Sequence, residues 1–201
     1  FPNLAPREAS VRCPFLGDTM KILVFSMGPL FQHHVHGGSQ KVLSTILRFL
    51  SEAGHQCTVY TGKHENSREE FTPFPNVRVI PLFDFYPAKH YVTPYHLAHV
   101  IQTLHQAVSL NDVFYIHDSE LPFHFIYRDV PTVSALRDFT YPETLLSAFS
   151  FERDRIIVNS DYVARCVKHS LGTFRANLPL VTVYNGFEGG FYQRASSEQV
   201  Y

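Results

Sequence analysis

The chain has 201 residues, 45% hydrophobic and 17% charged, with a formal net charge of −1. That is enough apolar material for one sizeable domain with a real core, and too little charge for a disordered chain. Near-neutrality also argues against a general electrostatic grip on nucleic acid, which needs a basic face.

Residues 1–19 lack a basic stretch followed by an apolar one, so they read as a leader or loose extension rather than a secretory signal. KILVFS (21–26) is a continuous apolar run, the pattern of a strand buried on both faces. Gly37 and Gly38 close the loop after it, and Ser39 is placed to cap the following helix. Val42, Ile46, Phe49, Leu50 and Ala53 recur at helical spacing, and Gly54 stops the helix. QCTVYT (56–61) is a second strand, KHENSREEF a loop, and VRVIPL (77–82) a third strand halted by Pro81. The aromatic stretch 83–92 is irregular. Phe83, Phe85, Tyr86 and Tyr91 there suit either a sugar-stacking or lipid-facing lip or satellite core beneath a loop. Thr93 and Pro94 open a helix with Leu97, Ile101, Leu104 and Val108 as its buried stripe. DVFYIH (112–117), PTVSAL (131–136) and RIIVNS (155–160) are further strands. A helix from Ser160 buries Val163, Val167 and Leu171, and LVTVYNG (180–186) is a last strand and turn.

Strands alternating with helices predict an α/β, Rossmann-like, doubly wound and mostly parallel sheet with helices on both faces. In such a fold the ligand lies at the carboxyl edge, where strand order reverses. If the first strand and DVFYI are central neighbours, Gly37, Gly38 and His117 meet at that crevice.

The glycine pair lets a ligand approach the backbone, and the N–H groups of the helix start favour an anion such as a diphosphate. The alternative is a plain turn with a cap. His117, followed by Asp118, stands at a strand end. It suits a hydrogen bond to a sugar hydroxyl, although a histidine satisfied by a neighbouring backbone carbonyl is the commoner case for a strand end. Arg137 and Asp138 follow another strand. Arg137 reads as a bidentate grip on phosphate or carboxylate, or as a surface ion pair with Asp138 or Glu143. His33, His34 and His36 lack a recognised metal spacing, so a solvated loop at the cleft mouth, touching the acceptor, is preferred to a metal site. Cys13, Cys57 and Cys166 are too scattered for a disulfide framework or zinc site, which makes a reduced setting the default. A dehydrogenase is disfavoured, because the first loop lacks G-x-G-x-x-G and the second strand ends in Thr61 and Gly62 rather than an acid.

The order of motifs resembles family-four glycosyltransferases. MKILVFSMGP, then GGSQKVLSTILRFLSEAGHQCTVYT, is similar to their first strand, Gly-Gly loop, helix and "GH-x-V-x-V-x-T" strand. DVFYIHDSE is similar to their Asp-Val-(apolar)-His strand, RIIVNSDYVARCVKHSL to a later helix start, and VTVYNGFEGGFY to the Asn-Gly segment that closes the N-terminal domain. The resemblance implies a GT-B fold whose N-terminal half spans residues 20–192, with 193–201 as the start of an interdomain segment or tail. It implies retaining transfer of a hexosyl group from a nucleotide-sugar donor to a saccharide, lipid-linked or small-molecule acceptor, with no cofactor and no essential metal. Gly37 and Gly38 would meet the donor diphosphate and His117 would be catalytic. His36, Asp118, Arg137, Asp138, Asn185 and Gly186 would line the acceptor cleft. Gln40 replaces a common glutamate, and Glu188 the usual aspartate. The family's C-terminal domain, with its Glu-x7-Glu motif, has no counterpart here. The chain is therefore expected to need that domain in cis or trans and to be inactive alone. The implied setting is polysaccharide biosynthesis in the cytoplasm, with peripheral contact at the inner membrane face. A non-catalytic nucleotide- or sugar-binding module is the alternative.

Overall fold

The computed structural model describes residues 18–35, 37–84, 93–117, 130–137, 155–171 and 179–186. In chain order these form β1 (Lys21–Ser26), α1 (Gly38–Glu52), β2 (Gln56–Gly62), β3 (Phe71–Phe74), β4 (Val77–Phe83), α2 (Pro94–Val108), β5 (Val113–Ile116), β6 (Thr132–Leu136), β7 (Arg155–Val158), α3 (Asp161–Leu171) and β8 (Leu180–Thr182). The expected leader and the terminal segment 193–201 lie outside the described residues, as do Phe85, Tyr86 and Tyr91.

The strands make one sheet in the order β3-β4-β2-β1-β5-β6-β7-β8, parallel except for the β3–β4 pair. The parallel strands run outward as β1, β2, β4 on one side and as β5, β6, β7, β8 on the other, with antiparallel β3 added beyond β4. The reversal therefore falls between β1 and β5, which pair directly from Ile22↔Val113 to Phe25↔Ile116. Alternation along β1 fixes the two faces. Ile22 and Val24 pack with Leu43 and Leu47 of α1, whereas Leu23 and Phe25 pack with Val100, Leu104 and Val108 of α2. Helices thus cover both faces, as the doubly wound reading requires. α3 closes over Leu136, Ile156 and Val158. Burying each such side chain contributes about 1.5–3 kcal/mol before the entropy of ordering it is counted.

Local details differ from the sequence reading. β3 sits where the end of a loop was expected, continuing into FTPF. It is an edge strand, and an edge tolerates Pro73. The turn after it places Asn76 at φ 60°, a left-handed position that asparagine accepts. Pro81 does not halt β4. It pairs with Thr61 beside a register shift, beyond Val79, the last β4 residue that β3 pairs with, so its missing N–H leaves no β3 partner short. The inward stripe of α1 is Leu43, Leu47 and Ser51 flanked by Ile46 and Leu50, while Phe49 is exposed. α2 is as expected: the Thr93 hydroxyl accepts from the His96 N–H, and Pro94 opens the first turn.

Candidate functional site

Strand alternation assembles the site. Tyr115 faces the α1 side of the sheet, so His117, two residues on, faces the same way. Ala135 also faces α1, and Arg137 follows it by two. Three polar side chains are thereby set in a row at the carboxyl rim, beside the start of α1.

His117 is fully buried. Its Nε2 lies 2.9 Å from the Ser39 carbonyl oxygen and 3.0 Å from the Ser39 hydroxyl. A carbonyl only accepts, so Nε2 carries the ring proton. Nδ1 is then the acceptor and lies 3.0 Å from the Tyr115 hydroxyl and 3.3 Å from Arg137 Nη2. The Tyr115 oxygen accepts from Arg137 Nη2 at 3.0 Å. Arg137 Nη1 donates to Asn185 Oδ1 at 3.0 Å, and Asn159 Nδ2 donates to the Arg137 carbonyl. One hydrogen-bonded chain therefore ties α1 to β5, β6 and the segments that follow β7 and β8. Arg137 Nε and Asn159 Oδ1 are buried within it and find no partner among the described residues.

The glycine loop stands over this chain. Gly37 has φ 100°, a conformation that disfavours any side chain. The Gln40 amide folds back against the loop. A Cβ would lie 2.7 Å from its Nε2 if added at Gly28, and 2.9 Å from its Oε1 at Gly37. Gly38, the first residue of α1, has nothing within 4 Å of its Cβ position. Among the described residues no side chain caps α1, and no acid lies in its first turn, so the helix presents an electropositive end. Ser39 is not the cap expected from the sequence, because it sits inside the first turn and its hydroxyl turns to His117.

A shallow pocket of about 320 Å³, part of it open to solvent, adjoins the loop and is lined by Leu30, Phe31, His34, Gln40, Phe71 and Phe74 among others. Phe31 stacks on His34 at 4.3 Å and meets His64 edge-on at 5.1 Å. Among the described residues no three His, Cys, Asp or Glu side chains are placed to hold a metal ion. No described helix is long and apolar enough to cross a membrane.

The family described as Glycosyltransferase Family 4 matches residues 36–188. The chain belongs to that family. No match was found among curated proteins. Among solved structures the domain is similar to Anabaena Alr3699/HepE, described as a complex with UDP and glucose. Identity is 22% and the TM-score 0.56, over 86% of this chain and 46% of the Anabaena chain. The likeness is one of fold, and this chain spans about half the length of that relative.

In this glycosyltransferase domain Gly37, Gly38, His117, Arg137 and Asn185 fall on one rim. Gly186 adjoins Asn185 in open space. His36, Asp118 and Asp138 lie outside the described residues, as does Glu143. Tyr115, Ser39 and Asn159 were not singled out as site residues. Tyr115 carried a readable signal, its i, i+2 relation to His117 on one strand. The contacts made by Ser39 and Asn159 depend on long-range packing. Beside the site the Tyr184 hydroxyl donates to Asp161 Oδ2 at 2.7 Å. That bond holds the Asp161 carboxyl below its ordinary range and pushes the Tyr184 phenol up.

Proposed function

We propose that this domain is the acceptor-side half of a retaining, nucleotide-sugar-dependent hexosyltransferase. The supporting observation is the electropositive end of α1, with Gly37 and Gly38 exposed at the β1/β5 reversal point. The donor diphosphate would lie against these N–H groups, and a second domain would supply most of the nucleotide pocket. The Anabaena protein of like fold, described with UDP and glucose, is consistent with such a ligand. In transfer, the bond between the anomeric carbon and the diphosphate breaks while an acceptor hydroxyl oxygen bonds the same carbon, its proton passing to the leaving diphosphate. Positive charge gathers on the sugar ring and negative charge on the leaving diphosphate. The helix end opposes the second of these charges without a metal ion and without a protein nucleophile. His117, assigned a catalytic role from the sequence, enters this reading as a positioning residue. With both ring nitrogens engaged, it fixes the start of α1 relative to Arg137. The acceptor occupies the rim beyond it, and the enzyme works in the cytoplasm, at or near the membrane face, in polysaccharide synthesis.

The test is to join residues 1–201 to a C-terminal domain of the family and measure nucleoside diphosphate release from nucleotide sugars, with and without EDTA. Turnover is expected only in the joined protein and is expected to survive chelation. Robust turnover by the 201-residue chain alone would overturn the half-enzyme reading, and loss with EDTA the metal-free one. The full engagement of His117 favours a second reading, a binding module without chemistry. Nucleotide-sugar binding with no transfer in the joined protein would select it.

A further inference from the structure

Ion pairs among the described residues include Arg48 with Glu52, Lys63 with Asp84 and Arg78 with Glu70, each with an exposed acid. Arg137 is different. Its guanidinium is half-buried at the carboxyl rim, and among the described residues its side-chain partners are all neutral: Asn185 Oδ1, the Tyr115 hydroxyl and His117 Nδ1. Taking a cation partly out of water without a counter-charge is costly unless an anion arrives. Three of the five guanidinium N–H groups are occupied by these contacts, one is buried at Nε with no acceptor among the described residues, and one remains on Nη1. The fork is also held still. Asn159 grips its carbonyl, while Asn185 and Tyr115 hold its two ends. A fixed guanidinium with no counter-charge among the described residues is the arrangement that recognises a planar or tetrahedral oxyanion.

The ring of His117 separates this cation from the helix end. Ser39 bonds one edge of the imidazole through Nε2, and Arg137 bonds the other through Nδ1. The rim therefore carries two electropositive positions side by side, one at Gly38 and one at Arg137. A donor diphosphate accounts for the first only.

We propose that Arg137 is an anion site for the acceptor, so that the acceptor is a saccharide or sugar derivative bearing a phosphoryl or carboxylate group. This rests on the glycosyl-transfer reading for the word acceptor, though not for the anion site itself. Bound there, the acceptor presents its hydroxyl over His117, between its own anion and the donor.

The experiment titrates the 201-residue chain, observed by NMR, with glucose 6-phosphate, glucuronate and glucose, and repeats each titration with UDP present. At least one charged probe is expected to bind tenfold or more tighter than glucose. Which of the two is preferred distinguishes a phosphoryl from a carboxylate acceptor. UDP should not displace it, and the Arg137 Nε–H resonance should move with the charged probe and not with glucose. Arg137→Gln should reduce the preference to twofold or less, and Arg137→Lys should keep part of it. The Arg137 resonance in the unaltered chain keeps the test decisive if Arg137→Gln fails to fold. Equal affinity for all three sugars, absence of charged-probe binding, displacement by UDP, or a preference that persists in folded Arg137→Gln overturns the proposal. A charge preference without turnover in the joined protein sinks the transfer reading and leaves the anion site standing. Turnover with no charge preference does the reverse.

Discussion

Ser39 and His117 are 78 residues apart in the chain, yet the first turn of α1 and the end of β5 are joined through them by contacts of 2.9 and 3.0 Å. Both contacts end on the same nitrogen, one from the Ser39 backbone and one from its side chain. The backbone contact is the one a side-chain substitution cannot remove. Ser39→Ala should therefore cost within about 1 kcal/mol, the net worth of a single hydrogen bond. His117→Ala removes both contacts and strips Tyr115 and Arg137 of their shared acceptor in a buried site. Its expected cost is on the order of 2–3 kcal/mol, a fall of roughly 4–12 °C in Tm for a domain of this size. Thermal unfolding of the two variants checks the difference. A His117→Ala variant as stable as Ser39→Ala would mean that the imidazole is not a brace.

The two adjacent glycines should respond oppositely to the same methyl group. Gly37→Ala meets a φ of 100° and the Gln40 amide, and should destabilise by about 1–3 kcal/mol. Gly38→Ala meets nothing within 4 Å and improves helix propensity, so the fold should be unharmed or gain up to about 1 kcal/mol. If the donor diphosphate lies against Gly38, that methyl occupies its place. Nucleotide-sugar affinity in a joined two-domain protein should then weaken by about tenfold or more, equivalent to at least 1.4 kcal/mol. Calorimetry on Gly38→Ala decides it, because unchanged affinity in a stable variant would move the diphosphate elsewhere.

The sheet and its reversal point were legible because buried parallel strands are continuous apolar runs, and KILVFS and DVFYIH are such runs between helical stripes. The meeting of Gly37, Gly38 and His117 followed from that topology alone. What His117 touches did not. Both sequence-level options for it, a ligand hydroxyl or a backbone carbonyl, are chemically ordinary, and only the packed start of α1 supplies the Ser39 carbonyl. The edge strand β3 was illegible for a different reason. FTPF is short, contains Pro73 and pairs on one side only, so neither periodicity nor propensity marks it. Pro81 misled in the other direction, since a proline counts as a stop only where both ladder partners are waiting.

Cys57 lies in the α1-side core on β2, and burial pushes its thiol from the ordinary 9.0 up to about 11. The folded protein thus holds this proton more tightly than the unfolded chain. The associated stability is fully present below about pH 9 and is lost as pH rises towards about 11. At pH 8 Cys57 should be inert to an aromatic disulfide reagent in the native chain and reactive in denaturant, read by mapping the labelled peptide. Cys57→Ala should be less stable at neutral pH, owing to the lost buried sulfur, but should lack this alkaline decline. Rapid native labelling of Cys57 would contradict its buried, protonated state.

Tyr184 and Asp161 stand beside the same rim, at the β8 end of the sheet. Tyr184 directly precedes Asn185, which holds one end of the Arg137 fork, and its hydroxyl is fixed to Asp161 in the first turn of α3. The hydrogen bond from Tyr184 is the leading reason that the Asp161 carboxyl titrates below its ordinary 3.8. A depressed aspartate contributes above its unfolded pKa, and the contribution disappears as pH falls through the lower folded value. The contact is therefore intact at neutral pH and releases only in acid, below the ordinary aspartate range. Tyr184→Phe should bring the Asp161 titration back up towards 3.8, observed by carboxyl carbon NMR. The same variant should also shift the Asn185 side-chain amide at neutral pH, because the segment that carries it has lost its anchor. If Asp161 titrates identically in the variant, the phenol does not hold it, and the placement of Asn185 against Arg137 must come from the β8 ladder alone.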